Sequence, residues 1–340
     1  MATRILRSPP SSLRLLRFSS PSTAIFNYNE GCVASRFLGT LAFDEIRVSD
    51  DVKRPYTSTA LVLHGLLGSG RNWKSFARNL AERLRTTTTS NSSQDWRLVL
   101  VDLRNHGKSA GIIGLDAPHD MANTARDLAN LVNSQQWAWP DVVIGHSMGG
   151  KVAMEFAKSC SSGSYGDSAT LPKQLWVLDS IPGEVNADDS DGEVEKVLKT
   201  LENLPTILPS RRWVVDHMLE LGFSKSLSEW IGSNLKNVGG QVIWTFDIQA
   251  AISMFNSYRQ TCYWSFLENP PKGSDTAIVR AEKSDRWSPQ VLQRLENLSR
   301  KEQGSDEGKV SVHTLHNSGH WVHVDNPKGL LEIMAPNFLI

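Results

Sequence analysis

The 340-residue chain lacks two features that would indicate other classes of protein. No apolar run approaches the ~18 residues needed to cross a bilayer, so we expect a soluble mature protein without a transmembrane segment. Its 36 basic and 36 acidic residues give a formal net charge of zero, and no basic run follows the N-terminal stretch. This balance argues against nucleic acid as the main partner.

Cysteine is also scarce. Cys32, Cys160 and Cys262 are odd in number, far apart and without the spacing of metal ligands. We therefore expect neither a disulfide framework nor a metal site, and the composition weakly favours a reducing compartment.

The first 29 residues contain no acidic residue, and the first one in the chain is Glu30. Many serines and short apolar blocks surround four arginines, Arg4, Arg7, Arg14 and Arg17. A segment rich in Arg and Ser and poor in acid is typical of an organelle transit peptide that is removed from the mature protein. Because arginines occur so early, we prefer the mitochondrion, with the chloroplast as the alternative; a disordered tail is the other interpretation of residues 1–29.

From Leu41 onward, apolar runs that predict strands alternate with segments of helical spacing. The predicted strands are Leu41–Val48, Thr59–His64, Trp96–Asp102, Val142–Ile144, Gln174–Asp179, Thr276–Ala281 and Val310–Leu315. This alternation predicts an α/β domain over residues 41–340, with a mostly parallel sheet and helices on both faces.

The alternation stops between about residues 184 and 271. Four segments look helical there, Val194–Leu204, Arg211–Leu221, Leu227–Leu235 and Ile248–Phe255. A helical block between two strands of a sheet predicts a cap over the edge that carries the active site. Trp213, Trp230, Trp244 and Trp264 fall in this block, and we favour core packing over a substrate pocket for them.

The sequence Gly145-His146-Ser147-Met148-Gly149 follows a short apolar strand and precedes a helical segment. This is the context of a nucleophile elbow, in which a strained turn raises a serine hydroxyl above the sheet edge. Glycines on both sides of the serine keep side chains out of the crowded turn. The motif predicts that Ser147 is a nucleophile.

A serine nucleophile needs a general base, and the base needs an orienting acid. Hydrolases of this architecture carry the three in the order Ser, Asp or Glu, His, each after a strand. His320, in the loop after the last strand, is the expected base; His316 and His323 are its nearby competitors. We expect Asp285 to be the acid, and Asp179, which ends the preceding strand, is the alternative.

The oxyanion of such a reaction needs two backbone N–H donors. We expect one from Met148, directly after the nucleophile, and one from Leu66, beside Gly65.

Four motifs carry a resemblance to a known family, His64-Gly65-Leu66-Leu67-Gly68-Ser69 with Asn72-Trp73, Asp102-Leu103-Arg104-Asn105-His106-Gly107-Lys108-Ser109, Gly145-His146-Ser147-Met148-Gly149-Gly150 and Gly319-His320-Trp321. Together they resemble the α/β-hydrolase superfamily, from Phe43 to the C-terminus. The Arg-Asn-His-Gly form of the second motif resembles the branch of YbfF-type bacterial esterases and their organellar relatives, abhydrolase domain-containing protein 11.

The resemblance implies an α/β-hydrolase fold with a helical cap after the sixth strand, and a serine esterase or thioesterase without a cofactor. It transfers the roles of nucleophile and base to Ser147 and His320. This branch can lack an aspartate at the position of Asp285 and use the one at the position of Asp179, so the acid stays open.

The function expected from the sequence is hydrolysis of a small-molecule ester or thioester through an acyl-enzyme on Ser147. A member of the same fold that only binds a ligand or serves as a scaffold is the alternative from another class. Other chemistry on this fold, such as C–C bond hydrolysis or perhydrolysis, is a third possibility.

Overall fold

The computed structural model describes residues 39–47, 56–87, 95–185, 192–300 and 308–338. The predicted transit peptide, residues 1–29, and Cys32 lie outside these ranges. Of the other two cysteines, Cys160 is buried and Cys262 is exposed, and both are free thiols. No helix in the described ranges is long and apolar enough to cross a membrane.

One seven-stranded sheet forms the centre of the described chain. Its strands are β1 Phe43–Arg47, β2 Ser58–Leu63, β3 Trp96–Val101, β4 Val142–His146, β5 Gln174–Leu178, β8 Asp275–Ala281 and β9 Val310–Leu315. The other two described strands, β6 Leu235–Val238 and β7 Gln241–Trp244, form a separate small hairpin. The spatial order is β1-β3-β2-β4-β5-β8-β9. Only β1 runs antiparallel to its neighbour; the other pairs in this sheet are parallel.

Eleven helices occur in the described ranges, α1 Lys74–Thr87, α2 Met121–Ser134, α3 Met148–Ser161, α4 Gly192–Glu202, α5 Arg211–Glu220, α6 Lys225–Gly232, α7 Ile248–Gln260, α8 Trp264–Glu268, α9 Pro289–Arg300, α10 Val322–Asp325 and α11 Pro327–Asn337. The alternating faces of the strands fill two separate cores. One core packs the sheet against α2 and α3, and the other packs it against α1 and α11. This confirms the predicted α/β fold class with helices on both faces of a mostly parallel sheet.

The inserted segment between β5 and β8, residues 192–268 where described, is called the cap below. It contains α4 to α8, as expected of a helical block, but also the β6–β7 hairpin, which the sequence analysis did not predict. Gly239 and Gly240 both have positive φ, 59° and 85°, the backbone that a two-residue type I′ turn requires. The cap follows β5, which is the fifth strand in the described ranges and also the fifth of the strands predicted from the sequence, whereas the resemblance implied a cap after the sixth strand.

Parallel strands place the segments that carry the candidate site residues at one edge of the sheet. The loops that follow β2, β4, β5, β8 and β9 all leave from the carboxyl ends of parallel neighbours. Residues far apart in sequence therefore come together there, which is the usual position of a site in an open α/β sheet.

Candidate active site

Ser147 occupies a sharp turn between β4 and α3. Its backbone has φ 53° and ψ −121°, a strained conformation for a residue with a side chain. The Ser147 N–H donates to the Leu178 carbonyl at 2.9 Å, which ties the turn to the neighbouring strand. The local geometry is that of a nucleophile elbow, with the serine at the first position before the helix.

The two glycines of the motif are required by space. A Cβ on Gly145 would lie 2.1 Å from the Gly149 carbonyl oxygen, and a Cβ on Gly149 would lie 2.6 Å from the Leu63 carbonyl oxygen. Any larger residue at either position would push α3 away from the sheet. The spacing G-x-S-x-G is thus a consequence of how closely the helix starts against β2 and β4.

Asp179 directly follows β5, and its carboxylate is almost fully buried. Oδ2 accepts from His320 Nδ1 at 2.7 Å and from Ser284 Oγ at 2.8 Å. Oδ1 accepts from the Ala281 N–H at 2.9 Å and from Trp287 Nε1 at 2.6 Å. Four donors therefore fix both oxygens of one carboxylate beside the His320 ring.

The charge state of this pair follows from its surroundings. Burial alone would raise the pKa of Asp179, but the hydrogen bond and positive charge of His320, with the other donors, outweigh it and leave the pKa lowered. Burial also lowers the pKa of His320, as does the charge of Arg286, against the opposing effect of Asp179. Both shifts favour an ionised carboxylate at Asp179 beside a neutral imidazole at His320.

The tautomer of His320 is set by its partners. Because Nδ1 carries the proton donated to Asp179, Nε2 keeps its lone pair and can act as an acceptor. The backbone of His320 is held as well, since His146 Nε2 donates to the His320 carbonyl at 2.7 Å. A neutral imidazole with a fixed ring and a free Nε2 lone pair has the form of a general base.

Ser147 and His320 line the same cavity. The hydrogen bonds of His320 connect its ring to Asp179 and its carbonyl to His146, and none joins the ring to the Ser147 hydroxyl. Such bonds are often long or misaligned in free enzymes and tighten when substrate binds.

The expectation that Asp285 orients the base does not match this geometry. Asp285 is exposed at the rim of the cavity and makes no hydrogen bond to His320. Its neighbours Ser284 and Trp287 turn inward instead and donate to Asp179. The loop after β8 therefore supplies hydrogen-bond donors to Asp179, and it is Asp179, the alternative acid, that contacts the imidazole.

The two competing histidines make other contacts, although His323 lines the same cavity as Ser147 and His320. His316 is exposed and contacts Glu282 at 3.2 Å. His323 is stacked on Trp73 with ring centroids 4.1 Å apart, and its buried Nδ1 has no hydrogen-bond partner. Neither one contacts Asp179.

The two expected oxyanion donors border the same cavity as Ser147. Met148 is the first residue of α3, so its N–H belongs to the first turn, whose N–H groups have no partner within the helix. Leu66 lies in the loop after β2, next to Gly65, where a Cβ would come within 3.1 Å of the Ser147 Cβ. The positive end of α3 adds to the attraction for an anion at this point.

The cavity encloses about 360 Å³ between the sheet edge and the cap. Its cap wall is largely apolar, with contributions from Val194, Val197, Leu227, Trp230 and Phe255. Charged groups, among them Lys283 and Asp285, stand at its exposed border. Its size and lining suit an apolar group attached to a polar reacting centre.

Lys151, which the sequence analysis did not single out, joins the cap to α3, the helix that follows Ser147. Its side chain is fully buried in α3, and Nζ donates to the carbonyls of Gly183, Tyr258 and Thr261 at 2.7, 2.5 and 2.7 Å. Gly183 lies where the chain enters the cap, and Thr261 lies just past the end of α7. The sequence signal that could have identified Lys151 is its position as a charged residue inside the apolar run of α3.

Two asparagines make further links between the cap and the sheet loops. The Asn105 side chain donates to the Asp247 carbonyl and accepts from the Asp247 N–H, each at 2.8 Å. Asn234 Nδ2 donates to the Leu67 carbonyl at 2.9 Å. The first link fixes the start of α7 and the second joins the cap to the loop that carries Leu66.

The family model described as "Alpha/beta hydrolase family" matches residues 60–333, which is most of the chain. The protein belongs to the α/β hydrolase family, and the resemblance inferred from its motifs is confirmed.

Among curated proteins, the chain is similar to the "sn-1-specific diacylglycerol lipase ABHD11" of Danio rerio, with 25% identity over 323 residues, 91% of this chain and 89% of that protein. The Mus musculus protein of the same name is 26% identical over 280 residues, 80% of this chain and 78% of the relative. Among solved structures, a marine microorganism esterase superposes with a TM-score of 0.67 at 21% identity, covering 88% of this chain and 99% of that one. These relatives support a hydrolase.

Proposed function

We propose that the protein is a serine hydrolase that cleaves a carboxylic ester or thioester through an acyl-enzyme on Ser147. The observation that supports this most directly is the hydrogen bond between Asp179 and the His320 ring, beside a cavity that the strained Ser147 also lines. His320 would act as general base, and Asp179 would hold its tautomer.

The reaction takes two steps. Ser147 Oγ attacks the acyl carbonyl while His320 Nε2 takes its proton, and the N–H groups of Leu66 and Met148 stabilise the negative oxygen. The leaving alcohol or thiol then receives the proton from His320. Water, activated by the same imidazole, releases the acid and restores the serine.

The substrate class follows from the cavity and from the relatives. The apolar cap wall suits the acyl chain, and the polar rim leaves the alcohol or thiol part nearer to solvent. Two relatives are named sn-1-specific diacylglycerol lipases, and a diacylglycerol is a carboxylic ester. We therefore propose an acyl ester or thioester with an apolar acyl group as the substrate, with no cofactor in the reaction.

The organelle remains part of the proposal. Residues 1–29 have the composition of a transit peptide, with the mitochondrion preferred and the chloroplast as the alternative. The full chain and a chain that begins at Leu41 can each be fused at the C-terminus to a fluorescent protein and expressed. A comparison of where the two fusions accumulate in the cell tests the proposed organelle.

The central experiment measures turnover and covalent labelling together. The wild type should release p-nitrophenol from p-nitrophenyl acyl esters, with a burst if deacylation is slow, and should react with a fluorophosphonate probe. Ser147→Ala should lose both while Ser161→Ala, an exposed serine at the end of α3, should keep both. Labelling that persists in Ser147→Ala would discard the nucleophile, and a wild type that neither labels nor turns over would favour the non-catalytic binding protein.

A further inference from the structure

Two histidines join the loop after β2 to the loop after β3. His64 Nε2 accepts from the Leu103 N–H at 3.0 Å, and His106 Nε2 accepts from the Leu67 N–H at 2.9 Å. Each histidine belongs to one of the two loops and accepts a hydrogen bond from a backbone N–H of the other loop. We call these two reciprocal bonds the histidine clasp.

The partners of the clasp determine the tautomer of both rings. The Nδ1–H of His64 donates to the Gly65 carbonyl at 2.7 Å, and that of His106 donates to the Arg104 carbonyl at 2.8 Å. Each Nε2 must therefore be unprotonated, because it faces an N–H group. Burial, the largest cause, lowers the pKa of His64 to about 4 and that of His106 to about 3, which agrees with two neutral rings.

His64 sets the direction of the Leu66 N–H. The Gly65 carbonyl and the Leu66 N–H belong to one planar trans peptide and point to opposite sides of it. The Gly65 oxygen is held by His64 Nδ1 and also by the Gly68 N–H at 3.1 Å. Because the oxygen is fixed, the peptide cannot rotate freely, and the direction of the N–H of Leu66, which lines the cavity together with Ser147, is fixed as well.

His106 stabilises the next residue of the loop. Leu67 has φ 56°, a strained conformation for a leucine that persists only when neighbouring groups hold it. The Leu67 N–H is bound by His106 Nε2, and its carbonyl is bound by Asn234 Nδ2 from the cap at 2.9 Å. Both polar groups of the strained residue thus have partners from outside the loop.

We propose that His64 and His106 are positioning residues of the oxyanion hole, which act by aiming the Leu66 N–H through the histidine clasp. They do not touch the reacting atoms and they exchange no proton during turnover. This inference rests on the proposed function, because the Leu66 N–H needs to stabilise an oxyanion only if the protein catalyses acyl transfer.

Substitution of each histidine by asparagine and by glutamine distinguishes the role of Nδ1 from the role of Nε2. Asparagine places its amide near the position of Nδ1, whereas glutamine places it near the position of Nε2. His106→Gln keeps an acceptor for the Leu67 N–H, and His106→Asn removes it. His64→Asn keeps a donor to the Gly65 carbonyl, and His64→Gln removes it.

The expected result is a loss in kcat that depends on which nitrogen is replaced. Deleting an oxyanion donor costs about 10²–10³-fold, so misaiming one should cost about 10-fold or more in kcat, with KM changed by less than about 3-fold. His106→Gln should exceed His106→Asn in kcat, and His64→Asn should exceed His64→Gln. Equal kcat within each pair, or kcat that only tracks the melting temperature, would overturn the inference.

The exposed His316 offers the matched control. His316→Asn and His316→Gln should differ neither from each other nor from wild type, since this residue lies outside the clasp. A spread among the His316 variants as large as that among the His106 variants would count against the inference.

A second measurement is independent of turnover. Histidine ring ¹⁵N spectra of the wild type should show His64 and His106 as neutral rings, protonated at Nδ1, from pH 5 to pH 8. A protonated ring or the other tautomer would overturn the inference even in an active enzyme. If the wild type neither turns over nor labels at Ser147, the proposed function fails and the assignment of purpose fails with it, while the ring spectra still decide whether the clasp exists.

Discussion

Asp179 and His320 are 141 residues apart in the chain, yet Asp179 Oδ2 lies 2.7 Å from His320 Nδ1. Three more donors hold the same carboxylate, so its orientation toward the ring is fixed before any substrate binds. His320 also lines the cavity that Ser147 borders, so this pair lies beside the proposed nucleophile.

Substitution of Asp179 and of Asp285 by asparagine should show which aspartate orients His320. Asp179→Asn keeps the shape of the site but supports the wrong histidine tautomer, and we expect kcat to fall by about 10³–10⁴-fold. Asp285→Asn, at the exposed rim, should stay within about 3-fold of wild type. Steady-state kinetics on one p-nitrophenyl ester decide between them, and a larger loss in Asp285→Asn would return the role of the acid to that residue.

The pH dependence should report the ionisation of His320. A general base must be neutral, so kcat/KM should rise with pH through the pKa of the free enzyme and then level off. Burial and the charge of Arg286 both lower that pKa. Arg286→Met removes the charge, which raises the pKa of His320, so the acid limb of the profile should move to higher pH.

The control for this shift is Lys328→Met, which removes an exposed cation from α11. Solvent screens such a charge, so its profile should match that of wild type. An acid limb that stays in place in Arg286→Met, or that moves to lower pH, would contradict the assigned electrostatic effect.

The sheet was predictable because its strands are short apolar runs at regular intervals. Trp96–Val101, for example, is buried at every position and begins where predicted, and it ends one residue before the predicted limit Asp102. The cap hairpin was missed because β6, Leu235–Val238, is mostly exposed and polar, so only the Gly239-Gly240 pair marked it. Of the cap tryptophans, Trp230 lines the cavity whereas Trp244 and Trp264 are buried in the core.

The choice between the two aspartates shows where sequence reasoning stops. Asp179 follows β5 and Asp285 follows β8, and these strands are parallel neighbours, so both residues leave the same edge of the sheet. Which carboxylate faces His320 depends on the inward turn of Ser284 and Trp287. That turn is a property of packing in three dimensions and leaves no periodic signal in the chain.

Lys151 should matter chiefly for stability. Lys151→Met fills similar space but leaves three buried carbonyls without their donor, and we expect a loss of about 3–5 kcal/mol in the free energy of unfolding. Lys158→Met, on the same helix but largely exposed, should change it by less than about 1 kcal/mol. Urea unfolding followed by circular dichroism measures both, and equal midpoints for the two variants would contradict the role given to Lys151.

Asn105 should link cap docking to substrate binding. This residue has φ 61°, and its side chain makes both hydrogen bonds to the Asp247 backbone at the start of α7. Asn105→Gly keeps the backbone conformation at no steric cost but deletes both bonds, so we expect about 1–3 kcal/mol of destabilisation. KM should rise as well, because α7 carries Phe255 into the cavity wall.

The matched comparison for Asn105→Gly is Asn317→Gly, an exposed asparagine with φ 54°. Both variants place glycine where φ is positive, so any common effect belongs to the backbone and only the difference belongs to the cap contact. Asn317→Gly should leave KM within about 2-fold of wild type, as expected of an exposed substitution. If both variants raise KM equally, the hydrogen bonds from Asn105 do not hold the cap over the site. The cavity wall must then be held by the contacts of Lys151 and Asn234 alone.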